Sequence, residues 1–206
     1  MSGPTSSPDP SPEPAVVAVS RDDQHRFSKA PTGSITLVMG HGVEGDAHAG
    51  ALVQHRSRVR RDPTQPNLRQ VHLIHRELFD EAREMGFEVG PGDLGENVLT
   101  ANVDLLGLPT GTVLDFGGAA VRLTGLRNPC VQINQFKAGL IKVVLSKADG
   151  TPAASPAPPS GSAGAEQPVI RKAGVMAVVE RGGEVVPGSP ITIALPAEPH
   201  DPLAPV

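Results

Sequence analysis

Two glycine-rich stretches of this 206-residue chain hold side chains that could transfer protons. Residues 42–50 read Gly-Val-Glu-Gly-Asp-Ala-His-Ala-Gly, which places the carboxyl of Asp46 and the imidazole of His48 among glycines. Residues 91–97 read Pro-Gly-Asp-Leu-Gly-Glu-Asn and place Glu96 and Asn97 directly before an apolar run. Such stretches predict structured loops, either plain turns or loops that hold a proton donor or acceptor at a site.

A third stretch, residues 127–130, carries the one cysteine of the chain, Cys130. It follows a strand-like segment and precedes a helical pattern, and the positive charge of Arg127 would stabilise a thiolate there. A single cysteine excludes an internal disulfide and a cysteine-rich zinc site. Two interpretations stay open at this point: an inert packing residue, or a reactive thiol that binds a metal or carries sulfur.

The histidines and the basic run give weaker signals. His41, His48 and His55 lie seven residues apart, and this spacing does not match a zinc signature. Residues 55–61 contain four arginines, which indicates a solvated loop, with anion binding as the alternative.

Composition excludes several classes of protein. The chain has five Phe, no Tyr and no Trp, and a formal net charge of −4, which disfavours a nucleic-acid reader built on stacking rings and basic patches. No apolar run approaches the roughly 18 residues that span a bilayer, and no signal peptide is recognisable. We therefore expect a soluble, cytoplasmic protein with no nucleic-acid or membrane partner.

The chain divides into one domain with irregular segments around and within it. Residues 1–14 are rich in Pro and Ser and predict a disordered tail. In residues 149–168, Pro, Ala, Gly and Ser fill 16 of 20 positions, which predicts a flexible insert. Residues 196–206 have Pro at every third position and predict a second disordered tail, so the domain spans residues 15–195.

The pattern within the domain predicts a mainly β fold. Eight short runs of β-forming residues are the expected strands: 15–19, 34–38, 71–74, 98–103, 113–116, 119–124, 175–180 and 191–194. A two-residue hairpin at Gly117-Gly118 indicates mostly antiparallel pairing. Residues 76–85 and 133–144 have helical spacing of apolar residues. We expect a small β-barrel of mostly antiparallel strands with a few short helices.

Four ordered motifs of this chain resemble the MOSC domain, named for the C-terminal domain of molybdenum cofactor sulfurases. They are residues 43–50, residues 69–74 (Arg-Gln-Val-His-Leu-Ile), residues 91–98 and residues 127–130. The resemblance covers about residues 16–148 and 174–193 and is to the standalone, bacterial type. It implies a small β-barrel and a functional cysteine associated with sulfur transfer or a molybdopterin-type molybdenum cofactor.

The resemblance also implies roles for named residues. Cys130 would be catalytic and ligate molybdenum, with His48 and Glu96 as catalytic proton donors. The expected cofactor-binding residues are Arg69, Arg127, Asn128, Asp46 and Asn97. Pyridoxal phosphate is a label of the wider family only, because this chain has no room for the separate domain that binds it.

Two functions that use Cys130 remain open on the sequence alone, besides a noncatalytic scaffold in which Cys130 is dispensable. The first is an oxidoreductase that reduces N-hydroxylated small molecules with electrons from a transfer partner. The second is a noncatalytic sulfur carrier, or a binding module for metal–sulfur cofactor assembly, in which Cys130 takes sulfur from a donor as a persulfide.

Overall fold

A computed structural model describes residues 12–147 and 169–206 of the chain. The fold is mainly β, as predicted, with short helices between strands. The strands are β1 (Ala15–Arg21), β2 (Ala30–Thr32), β3 (Ile35–Val38), β4 (Gly42–Val43), β5 (Val71–His75), β6 (Val98–Ala101), β7 (Val113–Asp115), β8 (Ala120–Leu126), β9 (Leu145–Lys147), β10 (Val169–Arg171), β11 (Val175–Arg181), β12 (Gly183–Val185) and β13 (Thr192–Ala194). The helices are α1 (Arg56–Val59), α2 (Glu77–Glu84), α3 (Gln132–Phe136) and α4 (Ile141–Val144).

Eight strands form one sheet in the order β13-β7-β8-β11-β5-β6-β1-β2. Every pair is antiparallel except β5 and β6, which confirms the prediction of mostly antiparallel pairing. In the sheet of described residues, β13 and β2 are not paired with each other, so the expected closed barrel is not formed. The start of β1 meets the residues before β13 only through a bridge from Ala15 to Pro190 and nearby backbone hydrogen bonds. Pro14 and Pro190 have no N–H group, so they cannot extend this contact into a ladder.

The parallel pair lies at the centre of the molecule and is buried on both faces. Side chains alternate across β5, so Leu73 packs in one apolar cluster and Ile74 in the other. Val98 and Leu99 of β6 divide in the same way. The first cluster packs on one face of the parallel pair. The second cluster packs on the other face, under α2, α3 and α4. A pair covered on both faces is a rigid base for the loops at its ends.

The predicted helices are present, with one difference. The helix expected over residues 76–85 is α2, which buries Leu78, Phe79 and Ala82. The helix expected over residues 133–144 is interrupted: Lys137 is extended, and Gly139 has a φ of +91°. The break separates α3 from α4, and the Asn134 side chain accepts hydrogen bonds from the main-chain N–H groups that follow it. The basic run, expected to be a loop, contains the single turn α1.

All eight expected strands are present, and the Gly117-Gly118 hairpin joins β7 to β8 as predicted. The structure adds five strands of two or three residues, namely β2, β4, β9, β10 and β12. β2 and β4 pair with the strands directly before them, whereas β9, β10 and β12 pair with strands farther along the chain. Strands of two or three residues are too short to give a pattern that the sequence alone reveals. No helix in the two described ranges is long and apolar enough to cross a membrane.

Residues 196–206 differ from the disordered tail that we expected. Leu203 is 9% exposed and belongs to the main apolar cluster. The main chain of Leu126 donates to Ala204 O and accepts from Val206 N. Gly125 makes this approach possible, because a Cβ there would collide with Ala204 and Val206. The proline content limits regular structure here but not packing. Residues 1–11 and the predicted insert lie outside the described residues.

Deleting residues 149–168 and joining the ends with a short Gly/Ser linker should leave the fold intact. In the β9–β10 pair, Lys147 lies opposite Val169, so the two ends are already adjacent. Because closure entropy depends only logarithmically on loop length, the free energy of unfolding should change by about 1 kcal/mol or less. Urea unfolding of both proteins measures this change. A loss of several kcal/mol would show that the deleted segment packs against the domain.

Candidate functional site

The three stretches singled out in the sequence meet at one cavity. This inner cavity, of about 90 Å³, is lined by six of the predicted site residues: His48, Arg69, Asn97, Arg127, Asn128 and Cys130. A second cavity of about 550 Å³, here called the vestibule, shares His55, Arg69, Asn128 and Cys130 with it. Cys130 is half-buried at the junction of the two.

The first loop is fixed by β4 and by glycines. Val43 is fully buried and pairs with Leu37 of β3, which anchors the loop in the core. Gly42 has a φ of +119° and lies against Gln70, where a Cβ would come within 2.9 Å of the Gln70 carbonyl oxygen. Only glycine fits this close approach. The chain then turns so that Asp46 faces inward and His48 reaches the cavity.

The second loop holds the segment that precedes β2. Gly92 has a φ of +81°, and its carbonyl accepts a hydrogen bond from Lys29 N at 2.8 Å. The Glu96 carboxyl turns back to accept from Gly92 N, and its other oxygen is buried without a partner among the described residues. Burial raises the pKa of Glu96. Glu96 is 1% exposed, and its hydrogen bond with Gly92 N stabilises the loop from its buried side.

The third stretch is positioned by the end of β8. Arg127 N donates to Gly174 O at 2.9 Å, which continues the pairing of β8 with the chain before β11. Pro129 is buried, so the chain turns inward before Cys130. The Cys130 thiol lies 3.4 Å from the side-chain oxygen of Gln132. The thiol is thereby held at the mouth of the inner cavity.

Asp46 is the hub of a buried polar network. Its Oδ2 accepts from Lys29 Nζ at 2.6 Å and from Asn97 Nδ2 at 3.0 Å. Its Oδ1 accepts from the main-chain N of His48 at 2.9 Å. Asn97 also donates to Ser20 O and accepts from the main-chain N of His72. The network therefore ties β1, β5, β6 and the first loop together.

The network keeps Asp46 ionised and selects the tautomer of His48. Burial by itself would raise the pKa of Asp46, but the hydrogen bonds from His48 and the charge of Lys29 hold it well below its usual range. His48 Nδ1 lies 3.2 Å from Asp46 Oδ1. An ionised carboxylate can only accept, so Nδ1 carries the proton and Nε2 is left able to accept one.

Arg127 is a buried cation without a full set of partners. It is 9% exposed, and its Nη1 atom has no hydrogen-bond partner among the described residues. Its Cζ atom lies 5.8 Å from the centre of the Phe27 ring. Burial lowers the pKa of Arg127, while negative charge at Cys130 and Glu96 opposes that shift. Because an unpaired buried cation is costly, this wall of the cavity favours an anionic ligand.

Further positive charge lies beside Arg127. Arg69 Nη1 donates to the Val206 main-chain oxygen at 2.6 Å. Burial and the charges of Arg127 and Arg58 lower the pKa of Arg69 to about 10, so it stays charged at neutral pH. Burial and nearby cations, Arg69 first among them, lower the pKa of His55 to about 4, so it is neutral at pH 7. In both cases burial is the larger cause of the lowered pKa, and the charges of neighbouring arginines add to it.

Two predicted site residues do not line the inner cavity. Asp46 lies behind Lys29, His48 and Asn97 and acts through them. Glu96 faces its own loop, so the structure does not bring this expected proton donor to the cavity wall. Within the described ranges no group of three His, Cys, Asp or Glu side chains could hold a metal ion, so a histidine-based metal site is not formed there.

Three buried polar residues that line the inner cavity were not among the predicted site residues. Lys29 is a lone lysine in an irregular segment, and no local pattern marks it. Asn67 donates to His48 O and Gly50 O and accepts from Arg69 N, so it links the first loop to Arg69. His72 is buried, and its Nε2 lies 2.8 Å from Ala173 O. Its place in the 69–74 motif could have marked it.

Breaking the buried Lys29–Asp46 pair should be strongly destabilising. We expect Lys29→Met or Asp46→Asn each to lower the free energy of unfolding by about 3–5 kcal/mol, because either change leaves a buried group without its partner. The double variant should cost less than the sum. The exposed Arg83–Asp80 pair, at 2.7 Å, is the matched control and should couple by less than about 1 kcal/mol.

Urea unfolding of both double-mutant cycles measures this difference. The folded-state pKa of Asp46 is depressed, so the contribution of its charge is complete above about pH 4. It is lost as the pH falls from there through the folded-state pKa. Equal coupling energies for the buried and exposed pairs would contradict the role given to Asp46.

Comparisons with known proteins agree with this architecture. The structure is similar to that of the YuaD protein from Bacillus subtilis, with a TM-score of 0.66, 22% identity, and coverage of 89% of this chain and 97% of that one. It is also similar to YiiM from Escherichia coli, with a TM-score of 0.53, 18% identity, and coverage of 91% and 73%. At these identities the likeness shows a shared fold. No curated protein matches the sequence.

A family model supplies the identification. The model of the MOSC domain matches residues 60–192, which is more than half of the chain and includes Arg69, Asn97, Arg127 and Cys130. The matched range begins after the first loop, so Lys29, Asp46 and His48 lie outside it. The chain belongs to the MOSC domain family.

Proposed function

We propose that the cleft binds a molybdopterin-type molybdenum cofactor, with Cys130 as the protein ligand to the metal. The family is associated with molybdenum cofactor biology. The observation that carries the proposal is the buried Arg127, whose Nη1 lacks a partner on the wall of a cavity that Cys130 also lines. A phosphate-bearing ligand would give this guanidinium an acceptor, and a soft thiolate suits the metal.

The residues present fit such a group. Arg127 and Arg69 would hold its phosphate, with Asn128 and Asn97 as neutral hydrogen-bonding partners on the same cavity wall. Asp46 lies behind this wall and neutralises Lys29, which lines it, so the positive charge that remains at the cavity belongs to the arginines. When bound, the cofactor would supply a two-electron redox centre at Cys130.

We assign the transfer of a proton in this site to His48. Asp46 fixes its tautomer, so Nε2 can accept a proton and return it as the imidazolium. Reduction of an N-hydroxylated compound consumes two electrons and two protons and yields the amine and water. We assign one proton to His48 and the electrons to an external transfer partner. Glu96 has no part in this scheme, since its carboxyl faces Gly92.

A second candidate function rests on the position of Cys130 itself. The thiol is half-buried and faces both cavities, so its thiolate could attack the outer sulfur of a donor persulfide, release the donor as a thiol, and pass the sulfane sulfur on without any bound metal. Nearby Arg69 and Arg127 would stabilise the persulfide anion. Metal content separates this carrier function from cofactor binding.

Arg127→Met should remove cofactor binding without harming the fold. Because the guanidinium is buried and only partly satisfied, we expect the free energy of unfolding of the ligand-free protein to stay the same or rise by about 1–2 kcal/mol. Molybdenum content, measured by mass spectrometry of the purified protein, should fall at least about tenfold relative to wild type. Arg122→Met is the matched control, because Arg122 lies on β8, the strand that leads to Arg127, and pairs with Glu180 at the surface.

A purely structural Arg127 predicts the reverse: lowered stability with molybdenum retained. Arg122→Met should keep the wild-type metal content and lose less than about 1 kcal/mol of stability.

Cys130→Ser should fold normally and lose its soft ligand. The hydroxyl preserves the shape of the side chain but stays protonated and binds molybdenum poorly. We expect molybdenum to be absent from this variant and present in wild type, both expressed in a host that makes the cofactor. If wild type carries a persulfide but no metal, the carrier function holds instead. Metal or transferable sulfur retained in Cys130→Ser would refute both functions.

A further inference from the structure

The vestibule outside Cys130 is unusually rich in cations. Arg58, Arg61 and Arg69 line it together with Cys130 and the neutral side chains of Gln65 and Asn128. Its volume of about 550 Å³ lies within the range of small-molecule sites. The whole chain carries a net charge of −4, so this concentration of positive charge is local.

The described residues provide no carboxylate partner for Arg58 or Arg61, since none of their ion pairs includes either residue. Asp62, the nearest acidic residue in sequence, accepts hydrogen bonds from Thr64. Asp46 is committed to the network behind the inner cavity. The positive charge of the vestibule is therefore left for a ligand.

Local structure holds the arginines on one wall. Arg58 O accepts from Arg61 N at 2.9 Å, so one turn of chain carries both side chains to the vestibule. Arg69 is held from the other side by its bond to the Val206 main-chain oxygen. Arg60 belongs to the same turn but lines a different surface pocket with His25 and Val59.

We propose that Arg58 and Arg61 bind the phosphate group of a phosphorylated small-molecule substrate whose reacting end lies at Cys130. This inference rests on the proposed function and names the substrate class for the same site. Arginine forks match phosphate oxygens in bidentate geometry, and two cations can balance a dianionic group. Arg69 and Arg127, which line the inner cavity, stay with the cofactor, so the site handles two separate anions.

Titration of the full-length protein with inorganic pyrophosphate tests the subsite directly. The double variant Arg58→Gln/Arg61→Gln should bind pyrophosphate at least about tenfold more weakly than wild type by calorimetry. Arg60→Gln is the matched control, because it removes a charge from the same turn outside the vestibule, and its affinity should stay within about twofold. Equal weakening in both variants, or no binding to wild type above a sodium chloride reference, overturns the proposal.

Cys130 supplies a second readout, since it is the only thiol of the chain. In cofactor-free protein, a dianionic aromatic disulfide should react with it faster than a neutral dipyridyl disulfide, relative to the same two rates with N-acetylcysteine amide. We expect this ratio to fall about tenfold in Arg58→Gln/Arg61→Gln and not in Arg60→Gln. An unchanged ratio in the double variant counts against the subsite.

The source of the phosphate is decided by comparing two preparations. Protein from a host unable to make molybdopterin should bind pyrophosphate as tightly as cofactor-loaded protein, because the vestibule is kept for the substrate. Loss of pyrophosphate binding on loading would give the vestibule to the cofactor phosphate and overturn the assignment. Failure of the proposed function appears separately, as equal molybdenum in wild type and Cys130→Ser, with the pyrophosphate result intact.

Discussion

The buried carboxylate of Asp46 is the constraint on which the cleft depends. It accepts hydrogen bonds from Lys29, His48 and Asn97, three residues that lie far apart in sequence. Each of these contacts lies in a region with little water, where a polar group without a hydrogen-bond partner lowers the free energy of unfolding. The loops around the cleft therefore have one arrangement that satisfies them all, and the rigid β5–β6 pair below them sets where that arrangement sits.

Charge is divided between two layers of the site. In the rear layer, positive and negative groups are matched: Lys29 neutralises Asp46. In the front layer, the cations outnumber the anions, and Arg127 keeps a buried nitrogen without an acceptor. The rear layer contributes to folding stability. The front layer lowers stability, because its buried cation lacks an acceptor, and it favours an anionic ligand for the same reason. This separation explains why residues only a few ångströms apart should respond oppositely to substitution.

Local sequence patterns predicted the elements whose residues carry their own signal. Runs of β-forming residues marked all eight main strands, and the resemblance of four motifs to the MOSC domain indicated His48, Asn97 and Cys130 as residues of one site. Lys29 could not be found in this way, because its role comes from a contact with Asp46, 17 positions away. Glu96 was placed in the correct loop, but sequence does not record which way a side chain turns. The packing of residues 196–206 likewise depends on Gly125, a distant residue that merely leaves room.

The position of Cys130 has a consequence for oxidative damage. The thiol is open to small molecules from the vestibule, yet the 206 residues hold no second cysteine to act as a resolving thiol. A sulfenic acid formed on Cys130 could be rescued only by a thiol from another molecule, or else proceed to sulfinic acid. Every disulfide at this residue must therefore be a mixed disulfide or a covalent dimer, and recovery depends on the reductants of the surroundings.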